Sequence, residues 1–549
     1  MPELKNISSL ISELAAAMPD RPAVIDGARI ISFRDLDSEI SLLAAGLRRA
    51  GITPGMRTAL MVPSSIEFVT LTFALFRAGA VIVLIDPGIG SANMRACLNE
   101  ARPEAFVGVP KAQAARLLLG WAKKSLRIFI TAGKKWFWGG FSLENIRRLG
   151  AVTAAPAPEN TSETAAILFT SGSTGAPKGA VYTHLMFAAQ ARMLKEYFKI
   201  EPGFHSVPTF PLFALFDVAL GLTIVIPEMD FTRPAAVNPA MLAGLIRKYG
   251  AVQLFGSPAL LDTLSRYGEK RGTLLPSLKR VISCGAPVSP AIIGRVKKML
   301  APETQVFTPY GATEALPVSC ISSDELAALA PGLPGICVGR TWEGMETFII
   351  KISDAPIPLW SGKLLARDGE IGEITVKGLV VSREYFGRGE STALAKIRCP
   401  GGELYHRMGD TGWKDAAGRL WFCGRKSHRV TTPEGALFTI PCEAVFNAHP
   451  GVRRAALVGT GPAGLQTPVL CVELEKGNEE RESLTAELLA LGAAHERTKA
   501  IKTVLYHSGF PVDIRHNAKI SREKLAAWAA MQVTSHRSQV TGQTPAGGA

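Results

Sequence analysis

The sequence predicts an α/β protein made of a large unit followed by a smaller α+β one. Three observations carry this expectation. Helical patterns alternate with short apolar strands, the arrangement of sheets covered by helices. The 549 residues exceed what one ordinary domain holds. At Gly424–His428 a strand-like run turns into a polar, basic connector, with enough chain beyond it for a small second domain. The expected division is therefore 1–425, 426–530 and a flexible polar tail over 531–549, which ends in PAGGA.

The elements follow in chain order. Leu36, Ile40, Leu43 and Leu47 recur at helical spacing, and Gly51 after Arg48 and Arg49 stops a helix over 36–50. Val81–Ile85 (VIVLI) reads as a buried strand ending at Asp86–Pro87. Lys134–Gly140 (KKWFWGG) reads as a hairpin or loop with locally packed aromatics. Its two lysines beside Trp136, Phe137 and Trp138 also suit a membrane or protein surface. Ala151–Glu163, rich in Ala, Pro and Thr, reads as a surface linker. Ala165–Phe169 is a strand, and Thr183 caps a helix over 184–198. The longest apolar run, Phe210–Pro227, is interrupted by Pro211 and Asp217, so a buried strand–turn–helix is expected there rather than a membrane span. Ser289–Pro290 opens a helix expected to reach Leu300. There is no internal repeat.

Composition narrows the function. With 47% hydrophobic and 20% charged residues, a large core is available and whole-chain disorder is excluded. The formal charge of +14 suits anionic partners. No aromatic RNA-binding signature, zinc-finger spacing or basic zipper supports nucleic acid. The eight cysteines form no CxxC pair, which argues against a zinc site or a disulfide framework and for reduced thiols in a cytoplasmic protein. The N-terminal MPELKNISSL has no signal-peptide pattern.

The most informative stretch is Thr170–Gly179, TSGSTGAPKG, after an apolar strand. Glycines and small hydroxyl residues let backbone N–H groups come close to a phosphate, and Lys178 can add positive charge. It is not a Walker loop, because Pro177 and Gly179 stand where that pattern needs Gly and Ser or Thr.

TSGSTGAPKG resembles the phosphate loop of the ANL superfamily of adenylate-forming enzymes, which holds acyl-CoA synthetases, nonribosomal adenylation domains and luciferases. Further segments agree in order along nearly the whole chain. Cys284–Ser289 (CGAPVS) resembles the adenine-contacting turn, and Tyr310–Glu314 (YGATE) the nucleotide and magnesium motif. Met408–Asp410 (MGD) resembles the ribose motif, Gly424–Arg425 the start of the interdomain hinge, and His516–Ile520 (HNAKI) the segment with the catalytic lysine.

The resemblance implies an ATP- and Mg²⁺-dependent ligase with a large domain of stacked α/β subdomains and a small mobile C-terminal domain. It implies Lys519, Glu314 and Thr170 as catalytic residues. Nucleotide binding would fall to Thr170, Ser171, Gly172, Ser173, Thr174, Gly175 and Lys178, to Gly285, Ala286 and Pro287, to Tyr310, Gly311, Ala312 and Thr313, and to Asp410 and Arg425. Glu314 would hold the metal. These roles make chemical sense, since a carboxylate and an α-phosphate are both anionic and must be neutralised and aligned. Lys519 could bridge them, Asp410 could accept from both ribose hydroxyls, and Tyr310 offers a flat face to adenine. The hinge position, usually Asp or Lys, falls at Ser427.

For the second half-reaction, no carrier domain with a phosphopantetheine motif follows residue 530. Pro211–Ala214 reads PLFA where acyl-CoA synthetases commonly have PLFH. KSHRVTTPEG departs from the usual loop near a pantetheine tunnel. PTFPLFALFD, CGAPVS, GRKSHRV and FPVDIRHNAKI are similar to the β-lactone synthetases of olefin biosynthesis. That resemblance implies a 2-alkyl-3-hydroxy fatty acid, adenylated and then closed on itself by its β-hydroxyl without coenzyme A. The tethered nucleophile needs no second substrate site. Phe210–Phe216 could line an alkyl pocket, and His205, His428 and Asp217 are candidates for the base. The alternatives are a long- or medium-chain fatty acyl-CoA ligase, a non-catalytic nucleotide- or acyl-binding scaffold, and a luciferase-like oxygenase. An assembly with other olefin-pathway enzymes and a peripheral membrane contact are both compatible with the sequence.

Overall fold

The computed structural model describes residues 6–152, 163–170, 176–330, 332–475, 481–512 and 520–541. Two helices show how local sequence sets where a helix starts and which face it buries. In Phe33–Arg49 the Ser32 hydroxyl accepts from the Asp35 N–H, and Leu36, Ile40, Leu43 and Leu47 are all buried. Thr183 caps His184–Phe198 in the same way, through the Met186 N–H.

Two sheets form the large part. The first has seven strands in the order Phe141–Ser142, Ile128–Thr131, Ala105–Gly108, Arg57–Met61, Val81–Ile85, Thr164–Thr170 and Lys178–Thr183. All are parallel except the last, which returns antiparallel to its neighbour and pairs Lys178 with Thr170. Helices cover both faces, so the central strands are apolar along their length, as VIVLI foretold.

The second sheet has fourteen strands. Its parallel half runs from Pro22–Asp26 through Thr223–Ile226, His205–Pro208, Gln253–Phe255 and Arg280–Ile282 to Gln305–Ala312. From there it continues antiparallel through Ala315–Ser322, Ile336–Thr341, Arg419–Arg425, Leu404–Lys414, Gly372–Gly378 and Met345–Ile350. The strand Gln305–Ala312 thus joins the two halves.

Beyond the connector, a three-stranded sheet of Val452–Thr460, Thr467–Leu474 and Thr503–Tyr506 packs with helices Thr439–Asn447, Arg481–Ala493 and Arg522–Thr541. The connector is pinned to the large part by its cations. Arg425 pairs with Asp410 at 3.0 Å, Lys426 with Glu373 at 3.2 Å, and Arg429 with Asp354. Glu373 is itself buried against Arg407 at 2.7 Å. Ser427 lies in the short helical turn Lys426–His428.

Three local expectations need correction. Phe210–Pro227 is a helix, Pro211–Ala219, followed by the strand Thr223–Ile226, the reverse of the expected order. Pro211 sits in the first helical turn, where its missing N–H costs nothing, and the β-branched run TIVI takes the strand. The helix after Ser289 ends at Lys297 rather than Leu300. Helix Arg522–Thr541 runs into the stretch expected to be a flexible tail, held at its start by buried Leu525 and Ala529. The expected linker lies mostly outside the described residues. In the KKWFWGG loop, Trp138 is buried and donates to Thr131 Oγ1 at 2.9 Å, with Trp136 stacked on it. Trp136 and Phe137 stay 60% and 84% exposed.

Candidate active site

The site is assembled at strand ends. Tyr310–Ala312 closes the strand Gln305–Ala312, and Thr313–Glu314 forms the tip of its hairpin with Ala315–Ser322. The register shifts between Tyr310 and Ala312, and the chain there needs glycine. A Cβ on Gly311 would sit 2.7 Å from the Ala315 carbonyl oxygen. Residues 283–289 follow the strand Arg280–Ile282 and lead to the Ser289 cap. Gly285 takes φ +93°, which favours glycine. Asp410 and Arg425 are cross-strand partners, which places their side chains together.

Asp410 is 3% exposed. It accepts from the Tyr310 hydroxyl at 2.6 Å and pairs with Arg425. Burial, and then the Asp410 charge, push the Tyr310 phenol well above its usual range, so it remains a donor. The Asp410 charge raises Arg425 above its usual value, so the guanidinium stays charged. Glu314 accepts from the Tyr385 hydroxyl at 2.6 Å, and Lys178 Nζ lies 5.1 Å from the centre of the Tyr385 ring. The Tyr182 hydroxyl donates to the Thr313 carbonyl.

One cavity of about 1520 Å³ reaches all of these groups. Small-ligand pockets usually measure about 300–1,000 Å³, so this one has room for a nucleotide and a second molecule. Lys178, Gly285, Ala286, Pro287, Tyr310, Gly311, Ala312, Thr313, Glu314, Asp410 and Arg425 all line it. The chain beyond the connector contributes, among others, Thr439, Glu443, Arg454, Ile520 and Arg522. Lys519, residues 171–175 and the Thr170 side chain lie outside the described residues. Ile520, the next residue after Lys519, borders the cavity.

Of the three candidate bases, only His428 lines the cavity, and it pairs with Glu523 at 3.2 Å. Asp217 is buried away from the cavity, accepting from Ser206 at 2.6 Å and Gln253 at 2.7 Å. His205 packs against Tyr249. Among the described residues, no group of three or more His, Cys, Asp or Glu side chains could hold a metal by itself. A lone carboxylate such as Glu314 suits Mg²⁺, which is commonly held by one or two carboxylates plus substrate phosphates.

Sequence reading missed Tyr385, Lys396 and His406. Tyr385 is 71 residues from Glu314 along the chain, and nothing in its local sequence marks the pairing. Lys396 is buried, donates to the Ser382 carbonyl and hydroxyl, and is pushed down to about 7 by burial. Ser382 in turn donates its N–H to the Glu314 carbonyl at 2.8 Å. His406 lines the cavity and is kept neutral by burial and then by Lys396. A lysine and a histidine in apolar strand surroundings were the available signals.

Comparison with known proteins places the chain in a family. The AMP-binding enzyme family model matches residues 11–386. The chain is 48% identical over 553 aligned residues to the olefin beta-lactone synthetase of Xanthomonas campestris pv. campestris, covering 97% of this chain and 99% of that one. It is 47% identical to the olefin beta-lactone synthetase of Stenotrophomonas maltophilia, covering 96% and 98%. The amide bond synthetase McbA from Marinactinospora thermotolerans shares the fold, with a TM-score of 0.78 at 22% identity over 95% of this chain and 99% of that one. The chain belongs to the AMP-binding enzyme family, the adenylate-forming ANL enzymes that its phosphate-loop and strand-end motifs resemble.

Proposed function

We propose that this protein is an olefin β-lactone synthetase. It activates a 2-alkyl-3-hydroxy fatty acid with ATP and closes the acyl-AMP to a β-lactone. The observation that carries the reading is a single cavity with a polar, nucleotide-type lobe and an apolar lobe, in a chain 48% identical to a protein of that name over nearly its full length.

In the first step a carboxylate oxygen attacks the α-phosphorus and pyrophosphate leaves. Lys519 neutralises the two anions, and Asp410 orients the ribose, braced by Tyr310 and Arg425. Thr170–Gly175 and Lys178 hold the phosphates. Mg²⁺ on the triphosphate would screen its charge, and Glu314, oriented by Tyr385, is the residue to hold it. In the second step the β-hydroxyl oxygen attacks the acyl carbon, its proton is lost, and AMP leaves as the four-membered ring closes. Rotation of the small domain about Arg425–Arg429 separates the two steps.

The reading places the enzyme in the cytoplasm. The described cysteines are all free, and no described helix is long and apolar enough to cross a membrane. Exposed Trp136 and Phe137 beside Lys134 and Lys135 support a peripheral contact, with a membrane surface or another olefin-pathway enzyme.

The test is pyrophosphate release and product identity with ATP, Mg²⁺ and a 2-alkyl-3-hydroxy acid, with and without coenzyme A. Lactone formed without coenzyme A is the expected result. A thioester formed only with coenzyme A would make the protein an acyl-CoA ligase. No acid-dependent pyrophosphate release at all would leave a binding scaffold.

A further inference from the structure

The first sheet separates two apolar layers. Leu60, Leu84 and Leu168 face one layer, and Met61, Ile85 and Phe169 face the other. Within each strand these are adjacent residues, whose side chains must point to opposite faces. All six line the same cavity. They stand at the carboxyl ends of Arg57–Met61, Val81–Ile85 and Thr164–Thr170, so the cavity wraps the edge of the sheet and enters both layers. On the first face it continues to Phe68, Phe76, Phe187 and Phe216. On the second it continues to Met94, Ala112 and Trp121, beneath helices Ser91–Ala101 and Pro110–Leu119. The two arms meet at the edge that carries Thr170 and its register partner Lys178.

A straight-chain acid would fill one such arm and leave the other without a partner. An acid branched at its α-carbon differs. Its two chains diverge at the atom beside the carboxylate, and a cavity that forks beside the reacting centre matches that shape. We propose that the acyl site is forked, with the two hydrocarbon chains of an α-branched acid bound on opposite faces of the first sheet. Ala112, Met94 and Trp121 then set the length of one chain, and Phe76, Phe187 and Phe216 set the other. This rests on the function proposed above, and it adds which residues measure each chain.

The test varies the two chain lengths independently in a panel of 2-alkyl-3-hydroxy acids. It reads acid-dependent pyrophosphate release, so it reports whether or not a lactone follows. Ala112→Phe narrows the second arm, and Phe216→Ala widens the first. Ala112→Phe should cut the long-to-short ratio of kcat/KM for one chain by about tenfold or more, since a single methylene is worth that much in a closed pocket. Phe216→Ala should move the preference for the other chain toward greater length. Met94→Ala, which lengthens the second arm, gives the opposite sign to Ala112→Phe and serves if that variant does not fold. Variants of both arms shifting the same chain, or no shift with any of them, would overturn the fork. So would a change in coenzyme A dependence with no change in chain preference. A wild-type enzyme that adenylates these acids but makes no lactone would defeat the function proposed above, and the length shifts would still decide the fork.

Discussion

The polar and apolar lobes of the cavity are built by opposite rules. In the polar lobe both carboxylates have named partners: Tyr310 and Arg425 hold Asp410, and Tyr385 holds Glu314. In the apolar lobe the wall is shape alone, made of Phe68, Phe76, Phe187 and Phe216. The helix Pro211–Ala219 that helps form it carries one acid, Asp217, turned into a buried network with Ser206 and Gln253. On the proposed function, one lobe stabilises charge that changes during the reaction, and the other keeps fixed charge away from hydrocarbon. Substitutions in the first should therefore act on rate and nucleotide affinity, and those in the second on selectivity and stability.

The largest effect expected is from Lys519→Ala. It should lower acyl-AMP formation by about 10²–10³-fold, as for loss of one donor to a developing charge, with little change in folding. Adenylation kinetics beside a denaturation curve check this, and near-normal acyl-AMP formation would remove the assigned role. Asp410→Asn weakens hydrogen bonds to a charged group and should raise the KM for ATP by roughly 10–100-fold. Comparable loss of acid binding would erase the distinction between the lobes. Tyr385→Phe frees Glu314 from its hydroxyl donor and should raise the Mg²⁺ concentration needed for half-maximal rate, by about tenfold. The same variant should leave chain-length preference where it was.

Asp217 makes the corresponding prediction for the apolar side. Burial pushes its carboxyl up to about 7, against hydrogen bonds from Ser206 and Gln253 that lower it. An acid whose folded pKa lies above its unfolded value of about 3.9 binds its proton more tightly when folded. Its contribution is fully present below about pH 4 and is lost as pH rises toward 7. Asp217→Asn should remove that slope, worth a few kcal/mol at most at about 1.4 kcal/mol per pKa unit. Melting temperature against pH for the two proteins measures it, and parallel curves would contradict it. Phe137→Ser should be the smallest, within about 0.5 kcal/mol in stability, because its ring is 84% exposed. Vesicle sedimentation then shows whether that exposure serves a surface.

The contrast between the lobes also explains what could be read in advance. That Glu314, Asp410 and Lys178 come together on one cavity wall was legible because the polar lobe uses short segments at strand ends. Gly311 shows the constraint on such a segment, since no side chain fits there. The apolar lobe was nearly invisible, because Phe76 or Phe187 in a cavity wall looks in sequence like Phe33 in the core. Phe210–Pro227 was placed correctly as buried, but its order was reversed, since a short apolar run fits helix and strand alike until Pro211 and TIVI are weighed. Tyr385, Lys396 and His406 were missed because their importance comes from pairing across the fold.

The most direct measurement labels the β-hydroxyl oxygen of a 2-alkyl-3-hydroxy acid with ¹⁸O and follows it through a reaction with ATP and Mg²⁺ in the absence of coenzyme A. Attack by that hydroxyl on the acyl-AMP predicts that the label remains in the ring oxygen of the lactone and that AMP carries none. Label lost to water, or found in AMP, would contradict intramolecular closure and with it the proposed function.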